Sequence, residues 1–287
     1  MKLFIIGNGF DLLHDYNTKY LDFKKYLDKE RIEIGSFYLS DIFNETSEDE
    51  WNNFEELLED YDFVHWGSSY SENIYVEDDK EQDRNMSYNN GLNDYFREIS
   101  FLLPQKIKKE LCVFIEKETQ NNSSQKEWIK KLFDNDSFFI NFNYSFLLEN
   151  IYEISKDKIC HIHGTIFNED EIVFGHGNTN LKEDIEADEF DLAYPQNKLV
   201  NLNAKFKKDY QLQKLKNFLQ SKVPKEIIII GHSCGIVDYK YYEELHKKYS
   251  GTKWIFYYYD EKTKCQIERM IKTIGIKGVC IKQNEEL

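Results

Sequence analysis

Short, almost unbroken apolar runs that end in glycine- or asparagine-bearing loops constrain this chain more than any other feature. Lys2–Ile6 and Ile227–Ile230 have no polar face, as expected of strands in a parallel sheet covered on both sides. Ser137–Ile140, Ile172–Phe174 and Lys253–Tyr259 bring the β-type runs to five. Gly278–Ile281 adds a sixth, and a short strand fits around Lys158–Ile162.

Helical periodicity fills the intervals. Leu13, Tyr16, Tyr20, Phe23 and Leu27 repeat at the spacing of one buried helical stripe. Ser47-x-x-Glu50 reads as a capping box opening a helix with Trp51, Phe54, Leu57, Leu58 and Tyr61 on one face. Leu92 to Leu103 predicts another helix, and Pro104 suits the first turn of a third. Asp238 is placed to cap a helix bearing Tyr241, Tyr242, Leu245 and Tyr249. Strands alternating with helices predict a doubly wound, mostly parallel, Rossmann-like α/β fold. Between Ile6 and Ser137 the pattern is almost wholly helical, too much for one crossover. The reading is therefore a core of residues 1–34 and 126–287 with a helical insert at 35–125, in which acidic, polar Tyr70–Asn90 reads as a loop.

Composition narrows the function classes. The formal charge is −15 with no dense Lys/Arg cluster, which argues against direct nucleic-acid binding. Lys205-Phe206-Lys207-Lys208 and Lys214-Leu215-Lys216 read as solvated helix faces. No apolar run has the length of a membrane span, and Met1 leads straight into the first strand, so the expectation is a cytoplasmic protein without membrane contact. The 5 cysteines form no CxxC pair and read as reduced, mostly buried thiols.

The candidate chemistry lies in loops after strands. Gly7-Asn8-Gly9-Phe10-Asp11 is a Gly-x-Gly turn between strand and helix, a layout that brings backbone close to a phosphate or makes a tight turn. Asn141 and Asn143 follow the second core strand, where they can face a ligand or cap the next helix. His161 and His163 flank Ile162 and would share one face in extended backbone. Gly175-His176-Gly177 and Gly231-His232-Ser233-Cys234-Gly235 complete the set. Of 7 histidines, four fall in these last three loops. A metal site at His161, His163 and His176 lacks the tighter ligand spacing and the Cys or carboxylate such sites recruit. The GxSxG pattern around Ser233 suggests a nucleophile elbow, but the only later histidine, His246, lies far along the helix that follows it. A serine hydrolase fails on that geometry. The third reading is a nucleotide site centred on Asn143 and His163.

These loops, in this order, with Asp238-Tyr239-x-Tyr241 and Trp51-x-x-Phe54-Glu55, resemble the AbiH family of bacterial phage abortive-infection proteins, from residue 1 to about residue 260. That family in turn is similar to SIR2-like NAD-binding domains. Gly7 and Gly9 match their Gly-Ala-Gly loop, Asn143-Tyr144 their Asn-Tyr-Asp segment, and His163-Gly164 their His-Gly pair. Gly231, Ser233 and Asp238 match their late Gly-Tyr-Ser…Asp segment. Asn8, Ser145 and His232 depart from it, and the paired cysteines of zinc-bearing sirtuins are absent, so the resemblance implies neither that zinc module nor deacylation. It implies a defence effector that hydrolyses NAD or a related nucleotide without a metal. Asn143 would orient the reacting water and His163 act as base. Backbone of Gly7 to Phe10 would hold a diphosphate. Asp11 and Asp238 would bind ribose hydroxyls or cap their helices, and His161, His176, His232 and Ser233 would line the site. Glu55 would close the pocket from the insert or stand as a solvated edge. The alternatives are a nucleotide-binding sensor acting through a partner and a nuclease-type effector. The charge and the lack of a carboxylate metal cluster oppose the nuclease. A second copy of the chain and a phage-derived trigger are the partners to be expected.

Overall fold

The computed structural model describes residues 1–35, 37–72, 81–120, 123–178 and 194–283, with 72 and 81–90 given by backbone alone. Strand β1 (Lys2–Ile6) leads into helices α1 (Asn8–Leu13) and α2 (Tyr20–Glu30), then a small antiparallel pair, β2 (Glu33–Ile34) and β3 (Phe37–Tyr38). Four helices follow: α3 (Glu48–Trp51), α4 (Phe54–Asp60), α5 (Phe63–Glu72) and α6 (Glu81–Glu118). Next come α7 (Glu127–Leu132), β4 (Phe138–Asn141), α8 (Leu147–Asn150) and β5 (Ile159–His161). The chain closes through α9 (Leu212–Phe218), β6 (Glu226–Ile230), α10 (Tyr239–Lys248), β7 (Lys253–Tyr258), α11 (Glu261–Ile274) and β8 (Gly278–Lys282).

Two compact units share these elements. The first comprises residues 1–19, 111–173 and 209–287, and the second 20–110 and 174–208. The first unit holds a six-stranded sheet in the order β5-β4-β1-β6-β7-β8, every pair parallel. Alternation along the strands supplies both faces. Leu3, Ile5, Ile227, Ile229 and Phe256 pack with Leu215 of α9, Tyr241 and Leu245 of α10, and Met270 of α11. Phe4, Ile6, Phe139, Ile228 and Ile230 pack on the other side with Phe10 of α1, Ile129 of α7 and Leu148 of α8. Leu3 to Ile6 are all 0% exposed. At about 2 kcal/mol for each buried side chain, that burial pins β1 at the centre of the sheet. The fold is the expected doubly wound, Rossmann-like α/β sheet.

Several local expectations change. Ile172–Phe174 is buried but is no strand: Val173 donates its N–H to His163 O at 2.9 Å and its carbonyl accepts from Tyr144 Oη at 3.1 Å. The stripe from Leu13 to Leu27 is split between two helices, with Tyr16 in the segment between them. His14 caps the C-terminus of α1, its Nδ1–H donating to Phe10 O at 2.7 Å, and Asp15 turns away at φ 63°. The capping box at Ser47 is present, but its helix stops at Trp51, and α4 restarts at Phe54 with the two rings stacked 4.2 Å apart. Leu92 to Leu103 and the segment after Pro104 form one helix, α6. Proline lacks the N–H that would meet the carbonyl four residues back. That carbonyl, Ser100 O, instead accepts from Lys205 Nζ at 3.0 Å. Of the Tyr70–Asn90 stretch read as a loop, residues up to 72 continue α5 and those from 81 begin α6, while 73–80 lie outside the described residues.

The second unit differs from the insert read at 35–125. It takes in α2, whose Phe23 meets Trp51 edge-on at 6.5 Å and whose Tyr26 Oη donates to Glu110 at 3.1 Å. It also takes in 174–208, where Phe206 stacks on Phe63 at 5.9 Å. Lys208 is no solvated lysine. It is buried, with Nζ 2.6 Å from Glu55 Oε2.

Candidate functional site

In the first unit the chain leaves β1 for β4 and β5 on one side, then returns to β6 on the other. Such a reversal opens a crevice beyond the carboxyl ends of the strands, where ligands of open α/β sheets bind. The loops after β1, β4, β5 and β6 all begin at those ends.

The β1 and β6 loops lock together. A Cβ on Gly7 would come within 2.6 Å of His232 Cα, and one on Gly231, at φ +69°, within 2.1 Å of Phe10 N. Gly7 N–H donates to Ile230 O at 3.1 Å, Gly9 N–H to Gly231 O at 2.7 Å and Phe10 N–H to Gly7 O at 2.8 Å. Three of the four amides expected to hold a diphosphate therefore bond protein oxygens, and the glycines serve close loop packing. Asn8 is tied by its side chain, which accepts from Thr18 Oγ1 at 2.6 Å and donates to Thr18 O at 3.0 Å.

Behind this loop lies a buried polar cluster. Asp11 Oδ1 accepts from Asn143 Nδ2 at 2.8 Å and from Ser145 Oγ at 2.9 Å. Asn143 Nδ2 also donates to Gly7 O at 3.1 Å, and its backbone N–H is accepted by Asn141 Oδ1 at 3.0 Å. Neither asparagine caps α8, whose N-cap is Phe146. Burial pushes the Asp11 carboxyl up to about 7 against the opposing pull of Ser145, Asn143 and His161. Low dielectric penalises the charged form, and here that outweighs the hydrogen bonds.

His161 ends β5 and His163 lies in the turn after it, and the two take different partners. His161 Nε2 lies 2.8 Å from Glu149 Oε1, and its carbonyl accepts from Lys214 Nζ at 2.6 Å. Its Nδ1 stands 3.4 Å from Asn143 O, a long contact. His163 is buried between Phe142 and Tyr241, with Nε2 3.3 Å from Asp238 Oδ1. The other oxygen of Asp238 lies 3.4 Å from His232 Nε2. Cys234 N–H donates to His232 Nδ1 at 2.9 Å, which places the neutral ring's proton on Nε2, facing Asp238. Asp238 occupies the N-cap position of α10 but makes no side-chain cap bond; its two carboxylate oxygens lie within ion-pair distance of two imidazoles. Ser233 is exposed on this loop. Cys234 is buried, which pushes its thiol up to about 12 and makes it a poor nucleophile.

Two further sequence candidates belong to the second unit. His176 is 0% exposed, donating from Nε2 to Asn203 O at 2.8 Å and accepting at Nδ1 from Asn178 N–H at 3.2 Å. Both ring nitrogens serve the local fold. Glu55 is likewise buried, accepting from Tyr20 Oη at 2.5 Å beside Lys208. It is neither a solvated edge nor, through those bonds, an open group.

Glu149 is the residue sequence reasoning missed. Its only signal was a carboxylate on the short helix that follows the Asn143 loop. Among the described residues no group of three or more His, Cys, Asp or Glu could hold a metal ion, and no helix is long and apolar enough to cross a membrane.

No curated protein and no solved structure matches the chain. The model of the family described as bacteriophage abortive infection AbiH matches residues 3–258. With the loops after β1, β4, β5 and β6 and most of its length inside that match, the chain belongs to the AbiH family of bacteriophage abortive-infection proteins.

Proposed function

We propose that this phage-defence protein binds NAD or a related nucleotide beyond the carboxyl ends of β1, β4, β5 and β6 and hydrolyses its glycosidic bond. The observation that carries this reading is the buried His163–Asp238 contact at 3.3 Å, with His232 on the far side of the carboxylate. A carboxylate that orients an imidazole is the arrangement proton transfer requires. In this reading His163 takes the proton of the attacking water, and Asp238 holds the ring and stabilises the cation it becomes. The leaving nicotinamide is neutral and needs no strong acid. Asn143 places its amide beside Asp11, where its remaining oxygen serves to orient water or a ribose hydroxyl. Because the Gly7, Gly9 and Phe10 amides bond protein oxygens, the diphosphate is held by other groups, and the loop contributes close approach.

Nicotinamide release from NAD by the purified protein tests the reading. Release that falls at least a hundredfold in His163→Ala and Asn143→Ala supports it. Thermal stabilisation by NAD without turnover, in wild type and both variants, would favour a nucleotide sensor that acts through a second copy of the chain or a phage-derived trigger.

A further inference from the structure

Beside the His161–Glu149 pair stands an aromatic surface that the mechanism above does not use. Phe167 is 78% exposed, an unusual position for so large an apolar ring. It lies 4.5 Å from Phe146 at an interplanar angle of 30°, and Phe146 lies 5.4 Å from the His161 ring. None of these rings hangs on a loose segment. Ile166 N–H donates to Tyr144 O at 3.3 Å, and Asn168 N–H closes the turn onto Thr165 O at 3.2 Å. Glu149 holds the His161 ring and Lys214 its backbone carbonyl.

The geometry points to a subsite in which Phe167, Phe146 and His161 stack against the flat heteroaromatic base of the nucleotide. This inference rests on the nucleotide reading and specifies where the base is held. A patch with one exposed ring is far too small for a protein interface. It borders the His161–Glu149 pair at the carboxyl end of β5, and a base offers both a stacking face and a polar edge. Charge sets the orientation. The turn continues into Glu169-Asp170-Glu171, all exposed, whose field disfavours phosphate on this side and leaves it to the base.

Calorimetric titration of adenosine monophosphate, nicotinamide mononucleotide and ribose 5-phosphate into wild type and Phe167→Ala tests the subsite. Phe167 is exposed, so its loss leaves the core intact. The expected result is affinity on the order of tenfold weaker for at least one of the two base-bearing probes. Ribose 5-phosphate binding stays unchanged, and Phe167→Trp retains binding. Equal affinity of wild type and Phe167→Ala for both base-bearing probes overturns the subsite while the nucleotide reading stands. Failure of wild type to bind either base-bearing probe, or NAD, overturns both.

Discussion

Asp11 illustrates how a single carboxyl can set a pH dependence. In the unfolded chain it loses its proton near the ordinary aspartate value, whereas burial holds the folded pKa up to about 7. The folded state therefore binds the extra proton, and the stability this contributes is lost as pH rises between those values. Asp11→Asn keeps an acceptor for Asn143 and Ser145 but cannot ionise. Urea midpoints at pH 4.5, 6 and 7.5 should show the variant gaining on wild type as pH rises, by up to a few kcal/mol, and levelling above pH 7. A gap independent of pH would refute the assignment. His14, three residues on, acts in the opposite sense: burial lowers its pKa, so its contribution fades as pH falls below the ordinary histidine range. The residue types of the cluster were legible in the sequence, since Gly7, Asp11, Asn143, His161, His163 and Asp238 all stand after strands. Their partners were not. A side chain on a loop chooses among neighbours that only the folded sheet brings near, so Asp238 reads as a cap in sequence and lies within ion-pair distance of two histidines in space.

Elements were read well where burial alone decides them and poorly where a distant group repairs a local defect. Strands β1, β4, β6 and β7 show as apolar runs because both faces of the sheet are covered there, whereas the edge strand β8 is largely exposed. Pro104 was read as a helix start, since nothing nearby supplies the bond it removes. Lys205, about a hundred residues on, does so through Ser100 O at 3.0 Å and Ser100 Oγ at 3.0 Å. Lys205→Met should cost about 1–3 kcal/mol, with amide exchange accelerating around Ser100. A loss spread evenly through the protein, with no local exchange, would show that the bond matters little to α6. The apolar run at Ile172–Phe174 misled for the complementary reason. It is buried, but its backbone bonds go to loops, and periodicity does not report where a carbonyl points.

At the scale of the whole molecule, the hydrophobic pattern read a helical insert at 35–125, whereas the second compact unit comprises 20–110 and 174–208. The second unit closes through α2, α4 and the segment before Asp209, and its Tyr20–Glu55–Lys208 contact joins three distant parts of the sequence. Lysine and glutamate carry no sign of burial in sequence, so these bounds were illegible. Lys208→Met leaves Glu55 buried without its cation and should cost about 3–5 kcal/mol. Adding Glu55→Gln should recover part of that loss, measured as urea midpoints; a double variant no better than Lys208→Met alone would rule out charge as the cause. The locking of the β1 loop onto the β6 loop has a further consequence, one of timing. During synthesis Gly7 leaves the ribosome long before Gly231, so a nascent chain already carrying Asp11, Asn143 and His163 still lacks the surface on which its first loop seats and the carboxylate that steadies His163. A chain that ends before Gly231 therefore has its first loop made but not seated.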